Sequence, residues 1–313
     1  MKVIRTKIGG RRGFHSLTLQ YLGFTIDLKN DERLVLDLSN NENAYQDDLN
    51  NKNTWGQWFV HDDWNEEDVI RDVGGIHYGS FIGGWIHESS RVQYYNLMKK
   101  HLVVRDHILK KIDDFKSKYF DGNKILGIHI RGNEIFHDNT RPKLSFNYYK
   151  HKIDLYLDKG NYNKVFVCSD QIHTINKLKD IYGEKMIVYP TLTYSPNGSH
   201  DYVYQKSLPN EGYIRGEDIL IESILLTKTD FLLRTLSGIT LYSTIYNPEL
   251  DYCDIDSPFY SIKDYISQPH PSILRTCKYE DNFDIYYKEI KKFEETLPSI
   301  EAHNRVNFIQ SYL

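Results

Sequence analysis

Four short runs decide most of what this chain can become. Lys124–Ile130 (KILGIHI), Lys164–Ser169 (KVFVCS), Lys185–Tyr189 (KMIVY) and Asp230–Thr235 (DFLLRT) are rich in Ile, Val, Leu and Phe on both faces. Helical periodicity fills the gaps, near Ser145–Asp158, Ile172–Tyr182 and Glu217–Lys228. A strand apolar on both faces needs cover on both, and alternating helices supply it by packing on a parallel sheet. Right-handed crossovers then bring the C-terminal ends of all the strands to one edge, where open α/β sheets bind ligands.

A second βαβ pattern precedes this one. An alternating run, Lys2–Ile8, leads through a Gly9–Gly13 turn into a helical stretch, Phe14–Leu28, and then into the strand RLVLDL, Arg33–Leu38. Residues 39–90 are rich in Asn, Asp, Gly and Trp and read as irregular. Helical patterns return at Ser89–Lys99 and Asp106–Lys118, and a last one at Asp284–Glu295 follows a Pro-containing connection. A chain of 313 residues is long for one core. The expected division is an N-terminal Rossmann-like domain over 1–120, a C-terminal one over 121–275, and a helical segment over 276–313 that crosses back.

Composition narrows the functional classes. The formal charge of -4 disfavours a nucleic-acid partner bound through phosphate neutralisation. Three widely spaced cysteines, Cys168, Cys253 and Cys277, form no CxxC pair, which points to a reducing compartment and no structural zinc. The N-terminal residues lack the apolar core of a signal peptide, and no apolar span reaches the ~18 residues of a membrane helix. The expected location is cytoplasmic, with peripheral membrane association where a substrate is lipid-linked.

The strand ends carry the chemistry. The first ends in His129 and Arg131, which share a face because a strand has period two, and continues through Gly132 and Asn133 to Glu134. The second ends at Ser169 and Asp170. The last ends in Thr235–Thr240 (TLSGIT) and runs directly into a helical pattern, Ile239–Tyr246. A strand, a short Ser-Gly loop and a helix N-terminus make an anion site, because backbone N–H groups and the helix dipole point outward. An arginine on a neighbouring strand adds a planar fork for phosphate oxygens. Together they suggest a diphosphate; the plainer reading is that Arg131 pairs with Glu134 or Asp170 at the sheet rim.

At these residues the chain resembles the GT-B fucosyltransferase superfamily, which includes α1,6-, nodulation and protein O-fucosyltransferases. GIHIRGNE resembles that group's His-x-Arg block, VFVCSDQ its strand ending in Ser/Thr-Asp, and GEDILIESILLTKTDFLLRTLSG its acidic helix, strand and Thr-x-Ser loop. IGGRRGFHSLTLQYLGFTIDLKNDERLVLDL resembles its N-terminal glycine turn, helix and strand, so the likeness spans roughly residues 5–250. The resemblance implies two Rossmann-like domains facing each other across a cleft, with an inverting, metal-independent transfer of fucose from GDP-fucose to a glycan hydroxyl. It implies that Arg131 binds the donor diphosphate, that His129 shapes the nucleotide pocket, and that Asp170 and Glu222 contact the guanosine, with Asp218 one turn away. Thr235, Ser237 and Gly238 would meet the phosphates, and Gly13 lies in the corresponding N-terminal turn. This chain departs from the pattern in three places: Glu134 replaces an Asp, Gly238 stands where many members have a second Ser, and Gly-Phe-His-Ser replaces Gly-Asn-Gln.

A carboxylate must take the acceptor hydroxyl's proton during a single displacement. Glu134 is the first candidate, weighed against a rim salt bridge, and Glu42, facing the cleft from the other domain, is the second. No cofactor or metal is expected, and the partners are a sugar nucleotide and a glycan acceptor of bacterial or viral type. Two alternatives stay open: another donor, such as a different GDP-sugar or UDP-xylose, and a non-catalytic sugar-nucleotide or glycan-binding module. Asp254-Ile-Asp256 is formally a metal–diphosphate DxD but reads as a chance match lying past the sheet. Gly74–Trp85 is either an acceptor loop or a turn-rich insertion. Gly9–Gly13 lacks the Lys-Ser/Thr of a P-loop, and Arg11 and Arg12 either approach the diphosphate or are solvated.

Overall fold

A computed structural model describes residues 2–6, 13–38, 45, 54–60, 65–73, 88–131, 146–192, 194, 211–235 and 237–255. It contains two sheets, and every strand pairing in them is parallel. In the first, β1 (Lys2–Thr6) lies between β2 (Glu32–Leu36) and β3 (Val69–Val73), with α1 (Phe14–Thr25) as the crossover from β1 to β2. Between β2 and β3 comes the short α2 (Trp55–Trp58), and α3 (Glu88–His101) and α4 (Asp106–Tyr119) follow β3. The second sheet has the order β6-β5-β4-β7-β8, built from β4 (Ile125–Ile130), β5 (Lys164–Ser169), β6 (Met186–Ile187), β7 (Phe231–Arg234) and β8 (Tyr252–Asp254). Its helices are α5 (Phe146–Lys159), α6 (Ile172–Tyr182), α7 (Glu211–Leu226) and α8 (Gly238–Tyr246).

The two-sided apolar runs therefore do form one parallel sheet, and β4, buried at all six positions, is its central strand. Leu126, Ile128 and Ile130 face a core made with Tyr148, Tyr149, Ile153 and Tyr156 of α5 and Ile175 and Leu178 of α6. The opposite face, with Ile125, Phe166, Cys168 and Leu232, belongs to a larger core that includes Leu220, Ile221 and Ile224 of α7 and Leu241, Tyr242 and Ile245 of α8. That same core continues into Ile4, Leu34 and Leu36 of the three-stranded sheet through Phe14, Leu17 and Leu22 of α1. His129 sits on this inner face by strand parity, so the side chain suspected of chemistry points toward α7, α8 and α1.

Several boundaries differ from the sequence reading. The helix beginning at Phe14 stops at Thr25, and α7 starts six residues before Glu217, since Glu211–Gly216 adds an apolar-poor but buried turn and a half. The stretch 39–90 holds α2 and β3; β3 is an edge strand whose VIRDV sequence is mostly exposed, so it lacks the apolar signal of the inner strands. Asp254 does not lie past the sheet, because Tyr252–Asp254 is its fifth strand, held by Leu232↔Tyr252 and Arg234↔Asp254 pairing. The 284–295 helix and Cys277 lie outside the described residues. Cys168 and Cys253 are buried and neither is in a disulfide. Among the described residues no helix is long and apolar enough to cross a membrane.

The two sheets are joined by close helix contact. Phe14 and Trp58 meet edge-to-face at 5.1 Å, and both lie against Gly216 of α7. A Cβ at position 216 would fall 2.4 Å from the Trp58 ring and 3.1 Å from Phe14, inside contact distance. The Trp58 indole N–H donates to the Tyr213 carbonyl at 3.1 Å, fixing the ring in that slot. One helix turn away, Glu217 accepts from Lys111 of α4 and from the Tyr213 hydroxyl; burial pushes its carboxyl up, and these hydrogen bonds outweigh that and hold it below its ordinary range. Gly216→Ala should therefore cost about 1–3 kcal/mol by overpacking, despite the better helix propensity of alanine. Gly56→Ala, where an added methyl meets nothing within 4 Å, is the control expected to stay near wild type in urea midpoint.

Candidate functional site

The C-terminal ends of β6, β5, β4 and β7 share one edge of the sheet, and the residues singled out in the sequence gather there in two groups. The first group lies at β4 and β7. His129 is in register with Cys168 on one side and Arg234 on the other, and it is 3% exposed. Its Nδ1 lies 3.1 Å from the Thr235 hydroxyl and 3.5 Å from that of Ser237. The Thr235 hydroxyl donates to the His129 carbonyl at 3.3 Å, so it accepts from an Nδ1–H, which leaves Nε2 as the unprotonated nitrogen. Burial, then the nearby Arg131 and His15, push the His129 pKa down to about 3. The imidazole is neutral at physiological pH.

The loop after β7 is held by its own hydroxyls. Ser237 is the N-cap of α8, and its Oγ accepts the Thr240 N–H at 3.3 Å. The Thr240 hydroxyl donates to the Thr235 carbonyl at 2.8 Å, closing the turn. The first N–H groups of α8, from Gly238 onward, have no intrahelical acceptors and face the same edge as Arg131. Gly13 is the N-cap of α1, and α1 brings a second helix N-terminus to this point. A Cβ on Gly238 would lie 3.2 Å from the His15 Cβ and 3.6 Å from the Ser16 nitrogen. The bare backbone of Gly238 is thus what lets the two helix starts touch.

His15 was not legible as a site residue, yet it joins the two sheets here. It is 2% exposed, its ring lies 4.3 Å from that of Tyr242 on α8, and its Nδ1 is 3.3 Å from the Thr18 hydroxyl. Burial pushes its pKa to about 3. The available sequence signal was its place two residues after a glycine turn at a helix start, where a large polar residue has to meet something across the gap.

The second group is acidic and lies at β5, the loop after β6, and α7. Asp170 follows β5 directly, and Ser169 Oγ accepts the Gln171 N–H at 3.2 Å. Asp218 accepts from the Leu192 N–H at 2.8 Å and the Thr191 hydroxyl at 3.0 Å; burial nonetheless raises its pKa to about 6. Glu222, one turn further along α7, is 3% exposed, and its Oε1 has no hydrogen-bond partner among the described residues. Burial and the charges of Asp218 and Asp170 push its carboxyl well above the ordinary range. The Gln171 side chain accepts from Thr174, while its buried Nε2 is a second unmatched polar atom at this edge.

The structure thus brings together His129, Arg131, Thr235, Ser237 and Gly238 at one end, with Gly13 opening the helix that meets them. Asp170, Asp218 and Glu222 form the other end. Glu134, Glu42, Arg11, Arg12, Asp256 and Gly74–Trp85 lie outside the described residues. Among the described residues no cluster of His, Cys, Asp and Glu has the geometry of a metal site.

No family model and no curated protein matches this chain. Solved structures do. Fucosyltransferase NodZ from Bradyrhizobium superposes with a TM-score of 0.54 at 15% identity, over 81% of this chain and 96% of that one. NodZ alpha-1,6-fucosyltransferase soaked with GDP-fucose gives 0.50 at 14% identity, over 78% and 93%. The chain has a GT-B fucosyltransferase-like fold.

The two neutral histidines give the site a pH signature. Each has a folded pKa near 3 against an unfolded value of 6.5, so below about pH 6.5 the unfolded chain takes up protons that the folded one refuses. Their contribution to stability is complete above that value and is lost progressively as pH falls toward 3. Asp218, with its raised pKa, acts the other way and loses stability as pH rises from about 4 to about 6. Comparing urea midpoints at pH 7 and pH 4.5, His15→Asn and His129→Asn should each lose less on acidification than wild type. Equal losses would mean that neither ring is neutral in the fold.

Proposed function

We propose that this protein is an inverting, metal-independent glycosyltransferase that moves fucose from GDP-fucose to a glycan hydroxyl. The observation that supports it most is the pairing of a cationic, N–H-rich end with an acidic end on one sheet edge. The fold that carries this edge superposes on NodZ soaked with GDP-fucose. Adjacent strands lie ~4.8 Å apart, so the span from β6 to β7 is roughly 14 Å. A nucleoside diphosphate has the matching polarity: a base with N–H donors at one end and phosphate oxygens at the other.

In this reading the Arg131 fork and the start of α8 receive the diphosphate. Cleavage of the sugar–phosphate bond builds negative charge on the departing oxygen, and donors fixed in advance stabilise it without reorganising. A neutral His129, tied to Thr235, keeps that loop in place without adding a charge of its own. The acids receive the guanine N–H groups. A carboxylate on the acceptor side removes the hydroxyl proton, and Glu134 and Glu42 remain the candidates for it. The acceptor is a surface or lipid-linked glycan of bacterial or viral type, reached from the cytoplasm, with no metal taking part.

Incubation of the purified protein with GDP-fucose, followed by GDP release with and without glycan acceptors, tests the reading. Arg131→Ala should lose about 10²–10³-fold in turnover, the scale of removing one donor to a developing oxyanion, with its thermal midpoint retained. Normal transfer by that variant would remove Arg131 from the site. An added chelator should leave the wild-type rate unchanged, and loss of activity would defeat metal independence. GDP binding without any turnover would favour the non-catalytic module.

A further inference from the structure

Glu222 raises a question that leaving-group chemistry does not answer. It is buried on α7, and among the described residues one carboxyl oxygen lacks a partner and the charges that reach it are those of Asp218 and Asp170, both negative. On α7 there is Asp218, one turn before. From β5 come Cys168, whose thiol is pushed up by burial and by Glu222, and Asp170. From the loop after β6 come Tyr189 and Tyr194, whose hydroxyls are pushed up by burial and by the acids of this cluster. Among the described residues, Lys111 of α4 is engaged with Glu217 and acts on Asp218.

A buried carboxylate whose charged neighbours, among the described residues, are two other acids is neutralised most cheaply by binding a proton. We propose, building on the nucleotide-donor reading above, that Glu222 holds a proton in the ligand-free protein and gives it up to solvent when a base with adjacent N–H donors binds. The balance is simple: the O–H bond of the carboxyl breaks, the proton passes to buffer, and the carboxylate left behind accepts the base's N–H groups. Hydrogen bonds to the charged form favour ionisation, so binding lowers the hold of Glu222 on its proton. The sign follows. While Glu222 is protonated in the free protein, nucleotide affinity rises with pH, by up to about tenfold per unit for one proton released. It levels off once the free protein is ionised. A base edge that alternates donor and acceptor, such as that of uracil, pairs with the neutral acid and releases nothing.

Titration calorimetry with GDP at pH 7.5, in two buffers of different ionisation enthalpy, measures the release directly. The expected result is close to one proton released per GDP, a Kd that falls between pH 6 and pH 8, and weaker, proton-neutral binding of UDP. Glu222→Gln, which fixes the neutral form, should bind GDP more weakly and with almost no release at pH 7.5, where the terminal phosphate of GDP is already ionised. Asp170→Asn keeps the test intact if that variant does not fold. It removes one of the two charges that hold the proton, so its affinity profile should shift to lower pH. GDP binding whose enthalpy is independent of buffer, or an Asp170→Asn profile that does not move, overturns the coupling while leaving the donor reading standing. Absence of GDP binding at every pH overturns both.

Discussion

The contact on which the rest depends is the one between α1 and the pair α7 and α8. Each sheet alone leaves an apolar helix face uncovered, and the two faces are closed against each other. Phe14 and Trp58 press on Gly216, and His15 presses on Gly238 and Tyr242. Both glycines sit where a single added carbon would meet a ring or a backbone. Close helix approach is a matter of volume before it is one of chemistry, because packed interiors respond to one methylene. Only once α1 is seated this closely does its N-terminus reach the N-terminus of α8. Packing between the halves and construction of the anion end are therefore one event.

The second organising constraint is electrostatic. An edge that gathered arginine, helix N-termini and three acids at one point would neutralise itself and bind nothing. Here the sheet order keeps them apart. β4 and β7 carry the donors, β5 and the β6 loop carry the acids, and α7 lays Asp218 and Glu222 over the acid side only. His129 stands between the two ends and contributes no charge, because burial beside Arg131 keeps it neutral. The consequence of this separation is that, among the described residues, Glu222 meets the charges of Asp218 and Asp170 on its own side of the edge and not those of the Arg131 end.

What could be read from residues alone follows from what repeats. The inner strands were legible because burial on both faces forces an unbroken apolar run, and β5 matches its expected limits to the residue. β3 and β8 were not, since an edge strand such as VIRDV keeps charged side chains that look like loop. Strand period placed His129 and Arg131 on one face, and the Ser-Gly loop before Ile239 marked a helix start. Those signals are local. His15 is different: its place after a glycine turn is only a faint local signal, and its significance lies in Gly238 and Tyr242, more than two hundred positions away. Glu222 was reachable only through resemblance, because in a helix its spacing from Asp218 is that of any surface acid pair.

The departures from the family pattern at Gly238 and at Gly-Phe-His-Ser looked independent in the sequence. In the structure they are two sides of one contact. A serine at 238 would place its Cβ 3.2 Å from the His15 Cβ, closer than ordinary packing, so the larger residue at 15 and the absent side chain at 238 fit together. In the nucleotide-donor reading the glycine gives up a hydroxyl that would otherwise face the phosphates, and the loop's remaining hydroxyls are already engaged. Thr235 binds His129, and Ser237 caps α8. In that reading, charge stabilisation at this end falls on backbone N–H groups and on Arg131. A site whose donors are mostly backbone is fixed by packing rather than by side-chain rotamers, so the seat of His15 against α8 becomes part of how the anion end keeps its geometry.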